Sequence, residues 1–296
     1  MRFTLIDEEK SHHGISRMCR VLGVTAAGYH AWRNRPKSAR AVEDEYLKDR
    51  IAFHHEESRG TYGAPRLFDD LADEGINVSR KRIARLMREL DIAGVSGREG
   101  KKRKKRSAMP ETDAVKDLVR RDFTADEPDQ VWFADITYIF TWEGWLFLAV
   151  VMDACTKRIV GWSMRDDIKS DIVVDALGMG TTLRKPDAGL VHHSDRGAQY
   201  RSLAFGKSLR DSGILASMGE TGVPHDNAVT ESVMATIKKE CVHRRTFKTR
   251  DQARFEVFRY IEGFYNQHRR HSSLGNLSPA EFERRLEQRR PRAAAS

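Results

Sequence analysis

Apolar positions in the first ninety residues recur at helical spacing. In ISRMCRVLGV they are Ile15, Met18, Cys19 and Leu22, at i, i+3, i+4 and i+7, one face of an α-helix. Gly23 ends that segment, Thr25 is placed to cap the next one, and Tyr29 and Trp32 are its apolar positions. Two short helices across a tight glycine turn predict a helix-turn-helix. A second pair follows. APRLFDDLADEG puts Leu67, Phe68 and Leu71 on one face and stops at Gly75; Ser79 then caps RKRIARLMREL, with Ile83, Leu86, Met87 and Leu90 as the buried stripe. Arg80, Lys81, Arg82, Arg85 and Arg88 crowd its other faces. A solvated cationic helix in an ordinary three-helix unit has the same pattern, but charge clustered on the second helix favours contact with DNA phosphates.

From residue 124 the period shortens to that of strands. VWFADITYIF, WLFLAVVMDA and KRIVGWSMR are β-rich runs joined by short turns, predicting an antiparallel meander. A helix (SDIVVDALGMGTTL), a strand (GLVHHS), a helix (RSLAFGKSLRDSG), a strand (ILASM) and a helix from about Ala228 to Cys241 complete a β-β-β-α-β-α-β-α order. That order predicts an α/β mixed sheet flanked by helices, preceded by an all-α region. Two more helical stretches close the chain, in which Tyr260, Phe264 and Tyr265 read as packing residues. The predicted domains are a helical helix-turn-helix region over 1–100, a basic linker over 101–123, a catalytic core over 124–245 and a helical extension over 246–296. The linker opens with KKRKKR, led by Lys101, Lys102 and Arg103, a run of like charges that resists packing and suits either a phosphate strap or a solvated tether.

Charge sharpens the picture. Lys plus Arg is 52 against 43 for Asp plus Glu, a net +9 that fits a polyanionic partner, nucleic acid first. The three cysteines, Cys19, Cys155 and Cys241, form no C-x-x-C pair, which argues against a disulfide framework or cysteine zinc site and for a reducing, cytosolic setting. The opening MRFTLIDEEKSHH has no apolar core and reads as no signal peptide. The longest apolar run, Trp145 to Met152, is too short to span a bilayer, so no membrane role is expected.

Three carboxylates carry the candidate chemistry. Asp135 interrupts the first apolar strand, Asp195 follows the fourth strand, and Glu231 lies in the first turn of the helix after the last strand. A lone aspartate in such a strand is costly without a partner or metal, and strand ends are where α/β sheets place ligands. Magnesium (or manganese) takes hard oxygen ligands and leaves positions open for phosphate and water. Two such ions serve both the attacking and the leaving oxygen of a phosphoryl displacement. Lys238, seven residues beyond Glu231, shares its helix face and is placed to reach a DNA phosphate. Asn227 is read as a helix cap, His225 as a loop histidine, and Asp153 as structural.

VWFADITYI, VVMDACTKRIVGWSM, HHSDRGAQYRS, DNAVTESVMATIKKE and YNQHRRHSSLGNLSPAEFE resemble the retroviral-integrase-like transposases, most closely the OrfB type of the IS-three insertion-sequence family. YGAPRLFDDLADEGINVSRKRIARLMREL resembles the helix-turn-helix that precedes their core. The resemblance covers about residues 12 to 285, with 35 residues between Asp195 and Glu231. It implies a ribonuclease H-like core with Asp135, Asp195 and Glu231 as catalytic ligands of two Mg²⁺ ions. It further implies hydrolytic nicking of element ends and attack of the exposed 3′-hydroxyl on another phosphodiester, by a homo-multimer at the bacterial nucleoid. Members of that family are often fused to an upstream OrfA partner. The integrases' N-terminal His/Cys module is missing here, so no zinc is expected. The loop GVPHDNA departs from the family pattern in having Pro224 and His225 before Asp226. Two other readings stay open on the sequence alone: a non-catalytic DNA-binding regulator of the element, and a structure-selective nuclease on the same fold.

Overall fold

The computed structural model describes residues 1–95, 115–119, 124–219 and 228–289. The basic run with Lys101, Lys102 and Arg103, and the loop with Pro224, His225, Asp226 and Asn227, lie outside the described residues.

Helices α1 (Arg2–Glu9), α2 (Ile15–Val21) and α3 (Ala26–Arg33) close around Ile6, Cys19 and Tyr29. Thr25 caps α3 by accepting from the Gly28 amide at 3.0 Å, so the first helix pair forms as its sequence predicts. Helices α4 (Ala39–Glu57), α5 (Ala64–Asp73) and α6 (Arg80–Glu89) form the second helical unit. Its core is Leu47 and Ile51 of α4, Leu67 and Leu71 of α5, and Ile83 and Leu86 of α6. Gly75 makes the turn out of α5 at φ 77°, a left-handed conformation that a side chain would strain.

The second half is a five-stranded sheet of order β3-β2-β1-β4-β5. Its elements are β1 (Val131–Thr141), β2 (Gly144–Asp153), β3 (Ile159–Arg165), α7 (Asp171–Arg184), β4 (Val191–Ser194), α8 (Leu203–Asp211), β5 (Leu215–Met218) and α9 (Ala228–Glu240). The first three strands are antiparallel, while β1–β4 and β4–β5 are parallel. Side chains alternate between faces. Trp132 and Ala134 join α7 and α8 in one core; Phe133 and Ile139 join α9 in another. Helix α7 lies so close to β3 that a Cβ on Gly161 would meet the Ala176 carbonyl oxygen at 2.1 Å.

The core beneath Phe133 is continuous with that of α4–α6 and includes α10 (Arg250–Tyr260) and the π-turn Ile261–Tyr265. The stretch predicted as an extension from 246 is therefore built into the centre of the protein. Tyr260, Phe264 and Tyr265 are buried there, as packing residues. The Tyr62 hydroxyl donates to the His268 carbonyl (3.1 Å) and accepts from the Arg270 amide (2.7 Å), and Arg270 pairs with Asp70 at 2.6 Å. Arg269 pairs with buried Glu240 at 2.7 Å, which also accepts from the Tyr260 hydroxyl at 2.7 Å. These bonds tie the end of the chain to both the helical unit and α9. The last helix, α11 (Pro279–Arg289), meets the far side of the sheet through Glu283, which pairs with Arg158 at 2.6 Å and Arg184 at 2.5 Å.

Candidate active site

Strands β1 and β4 pair in parallel only as far as Phe133 and His193. Asp135 and Asp195 each lie two residues beyond that last pair, Asp135 still within β1 and Asp195 just past the end of β4, where the ladder between the two strands has ended. The Ile136 amide donates to Asp135 at 2.8 Å. The Gly197 amide donates to Asp195 Oδ1 at 2.9 Å, and a Cβ on Gly197 would stand 2.9 Å from that same oxygen. Only glycine lets this turn close under the carboxylate without pushing it aside.

Helix α9 lies against β1 with Val233, Met234 and Ile237 inward and Glu231 exposed in its first turn. The Asp135 carboxyl senses the whole cluster. Burial raises its pKa, Asp195 raises it further, the Ile136 amide lowers it, Glu231 raises it and Lys238 lowers it, for a value of about 7. Lys238 is half-buried, its ammonium 4.6 Å from the centroid of the Tyr138 ring. Burial pulls its pKa down and Asp135 opposes that. Among the described residues, no three of His, Cys, Asp and Glu stand close enough to share a single ion.

One neighbour went unmarked in the sequence. Tyr200 is buried, and its hydroxyl has no hydrogen-bond partner among the described residues. Burial drives its pKa well above the ordinary tyrosine value, and the charges of Asp135 and Asp195 add to this. The motif HHSDRGAQY contains it, but an aromatic there reads as core, and only the fold shows it buried within the field of the two acids. Asp153 is buried and accepts from the Thr156 amide (2.7 Å), the Thr156 hydroxyl (2.8 Å) and the Asp129 amide (2.7 Å), which makes it the structural turn residue expected of it.

On α6 the cations divide. Arg82 is held by Asp44 at 2.8 Å and Glu43 at 2.9 Å, and Arg85 by Asp44 at 2.7 Å and Glu89 at 2.5 Å. The pairs with Glu43 and Asp44 link α6 to α4. Arg80 lies over the Phe68 ring, 4.8 Å from its centroid, and Lys81 is exposed.

Comparison with known proteins gives a consistent picture. A family model described as an integrase core domain matches residues 125–224, a second integrase core model matches 212–279, and an HTH-like domain matches 41–101. The chain is 40% identical, over 92% of its length and 99% of the relative's, to the 31 kDa protein of insertion element IS600 of Shigella sonnei. It is 36% identical to the transposase of insertion sequence element IS629 of Shigella sonnei, covering 95% of each chain. It is 35% identical to the transposase InsF of insertion sequence IS3A of Escherichia coli, over 96% of this chain and 98% of that one. A helix-turn-helix-like unit ahead of a ribonuclease H-like integrase core, shared with these relatives over nearly their whole lengths, places the chain among the DDE transposases of the IS3 insertion-sequence family.

Proposed function

We propose that this transposase nicks the ends of its element and joins the exposed 3′-hydroxyl to new DNA at one site, built from Asp135, Asp195 and Glu231. The observation that carries this reading is the register of β1 and β4, which brings two acids to the end of their shared ladder, together with the Asp135 carboxyl raised to about 7 beside like charges. Such a cluster is unfavourable by itself and becomes favourable around hard cations. Asp135, Asp195 and Glu231 would supply the hard carboxylate oxygens that Mg²⁺ or Mn²⁺ prefers. Mg²⁺ is commonly held by one or two carboxylates, with substrate and water completing its shell, so a pair of ions needs no three-acid cage. When bound, such ions would polarise the scissile phosphate and activate the attacking oxygen. Lys238 would hold a neighbouring phosphate and orient the strand, and Arg80 and Lys81 would contact the duplex backbone from α6. Arg82 and Arg85 would reach a phosphate by exchanging their carboxylate partners for it. The basic run from Lys101 to Arg103 would act as a phosphate strap. The reaction unites two element ends with a target, which suits a homo-multimer in the bacterial cytoplasm at the nucleoid, with an OrfA product as partner or fusion.

The direct test supplies the protein with pre-nicked element ends, a target duplex and Mg²⁺. Joined product is expected; cutting with no joining at any concentration would favour the nuclease reading instead. Lys238→Ala is expected to weaken end binding and to flatten the dependence of log affinity on log salt by about one. An unchanged slope would remove Lys238 from the phosphate contacts.

A further inference from the structure

Beyond Asp135, strand β1 continues to Thr141 and turns into β2 to form a hairpin. Its end is aromatic and bare. Tyr138 is 57% exposed, Phe140 61%, Trp142 65% and Trp145 47%. The rings are set edge to face, Tyr138 against Trp145 at 5.1 Å and Phe140 against Trp145 at 5.3 Å between centroids. The hairpin is also braced. The Trp142 amide donates to the Phe247 carbonyl at 3.1 Å, the Thr141 hydroxyl to the Gly144 carbonyl at 2.7 Å, and Arg250 Nε to the Trp145 carbonyl at 3.1 Å. A clustered patch of exposed aromatics on a fixed support marks an interaction surface.

The charges beside it select the partner. Lys238 lies over Tyr138, and Lys248 lies over Trp142 at 5.7 Å from the ring centroid. Ammonium groups interleaved with exposed aromatic rings are the combination that holds single-stranded nucleic acid: rings stack on bases while cations follow the phosphates. Contact surfaces between proteins are depleted in lysine. Side chains alternate along β1, so Tyr138 and Phe140 stand on the face opposite Asp135.

We propose that the β1–β2 hairpin is a stacking platform for unpaired bases of single-stranded DNA, with Phe140, Trp142 and Trp145 as the stacking rings and Lys248 as a phosphate contact. That the nucleic acid is DNA rests on the function proposed above; the stacking itself does not. An enzyme that cuts or joins next to a duplex end gains from such a platform, because it captures the frayed strand and keeps it from re-pairing.

The test measures binding by fluorescence anisotropy, without divalent ions, to a short oligothymidylate and to a blunt duplex of equal length. The Phe140→Ala/Trp142→Ala pair is expected to lose about 10-fold in affinity for oligothymidylate and to stay within about twofold on the duplex. Phe140→Tyr/Trp142→Tyr is expected to restore binding, and a thermal melt of each variant verifies folding. A thymidine analogue that crosslinks on illumination, placed in an unpaired overhang, is expected to attach to the hairpin. Equal losses on both probes, or no loss on either, would overturn the proposal. So would sedimentation in which the alanine pair abolishes self-association while oligothymidylate binding is unchanged, since the patch would then join two copies of this chain. Wild-type cleavage is assayed in parallel. A protein that binds oligothymidylate through the hairpin and cuts nothing refutes the catalytic reading alone; one that cuts, and binds alike with and without the rings, refutes the platform alone.

Discussion

Asp195→Asn is expected to lose both nicking and joining by at least about 10³-fold while still binding element ends. The substitution nearly preserves shape. An asparagine carbonyl can accept from the Gly197 amide as Asp195 Oδ1 does at 2.9 Å, so the turn after β4 has no reason to open. What disappears is one negative charge near Asp135, and with it one of the proposed cation ligands. Several kcal/mol of charge stabilisation at the phosphorus centre is worth three or more orders of magnitude in rate. Glu231→Gln is expected to behave alike with even less structural effect, because Glu231 is exposed in the first turn of α9. Single-turnover assays with Mg²⁺, run beside a binding assay, separate chemistry from recognition. Measurable cleavage by either variant would remove that residue from the site. Full activity from the first hundred residues alone would point instead to a DNA-binding regulator.

Much of the fold around these residues was readable in the sequence. The alternation in VWFADITYIF and the order of strands and helices are local and periodic, so they survive folding. Parallel neighbours with an acid just past each paired segment follow from that order. What could not be read is partnership at a distance. Arg82 and Arg85 look like free cations on a helix face, but α4 brings Asp44 and Glu43 against them from about forty residues upstream. Tyr200 looks like core, because sequence gives an aromatic its burial but not the direction of its hydroxyl. YNQHRRHSSLGNLSPAEFE reads as a terminal extension, yet Arg269 and Arg270 are the bonds that join α9, α5 and the closing turn. Phe140 and Trp145 continue the strand pattern of β1 and β2, with Trp142 in the turn between them, and nothing in that local pattern tells that all three stay exposed.

Asp135→Asn is expected to stabilise the metal-free protein at about pH 8 while destroying its activity. Asp135 titrates near 7 in the folded chain, against 3.8 ordinarily. A raised carboxyl pKa means that the folded state binds the proton more tightly than the unfolded state. Stability therefore falls as pH rises from about 4 to about 7 and is flat above that, with a total of on the order of 4 kcal/mol lost by pH 8. An uncharged amide avoids most of that loss, so in EDTA the variant should melt roughly 5 °C or more above the wild type at about pH 8. The gap should close as pH is lowered toward about 4, where Asp135 is neutral in both states. Mg²⁺ should reverse the order of effects: a cation that binds only the folded, ionised cluster raises the wild-type melting temperature and leaves the variant nearly unmoved. Calorimetry across pH, with EDTA and then with Mg²⁺, measures all three. Equal melting temperatures at about pH 8, or a gap that is constant with pH, would show that Asp135 sits at an ordinary carboxylate pKa. In that case the like-charge crowding by which β1 and β4 prepare a cation site would be absent from the molecule.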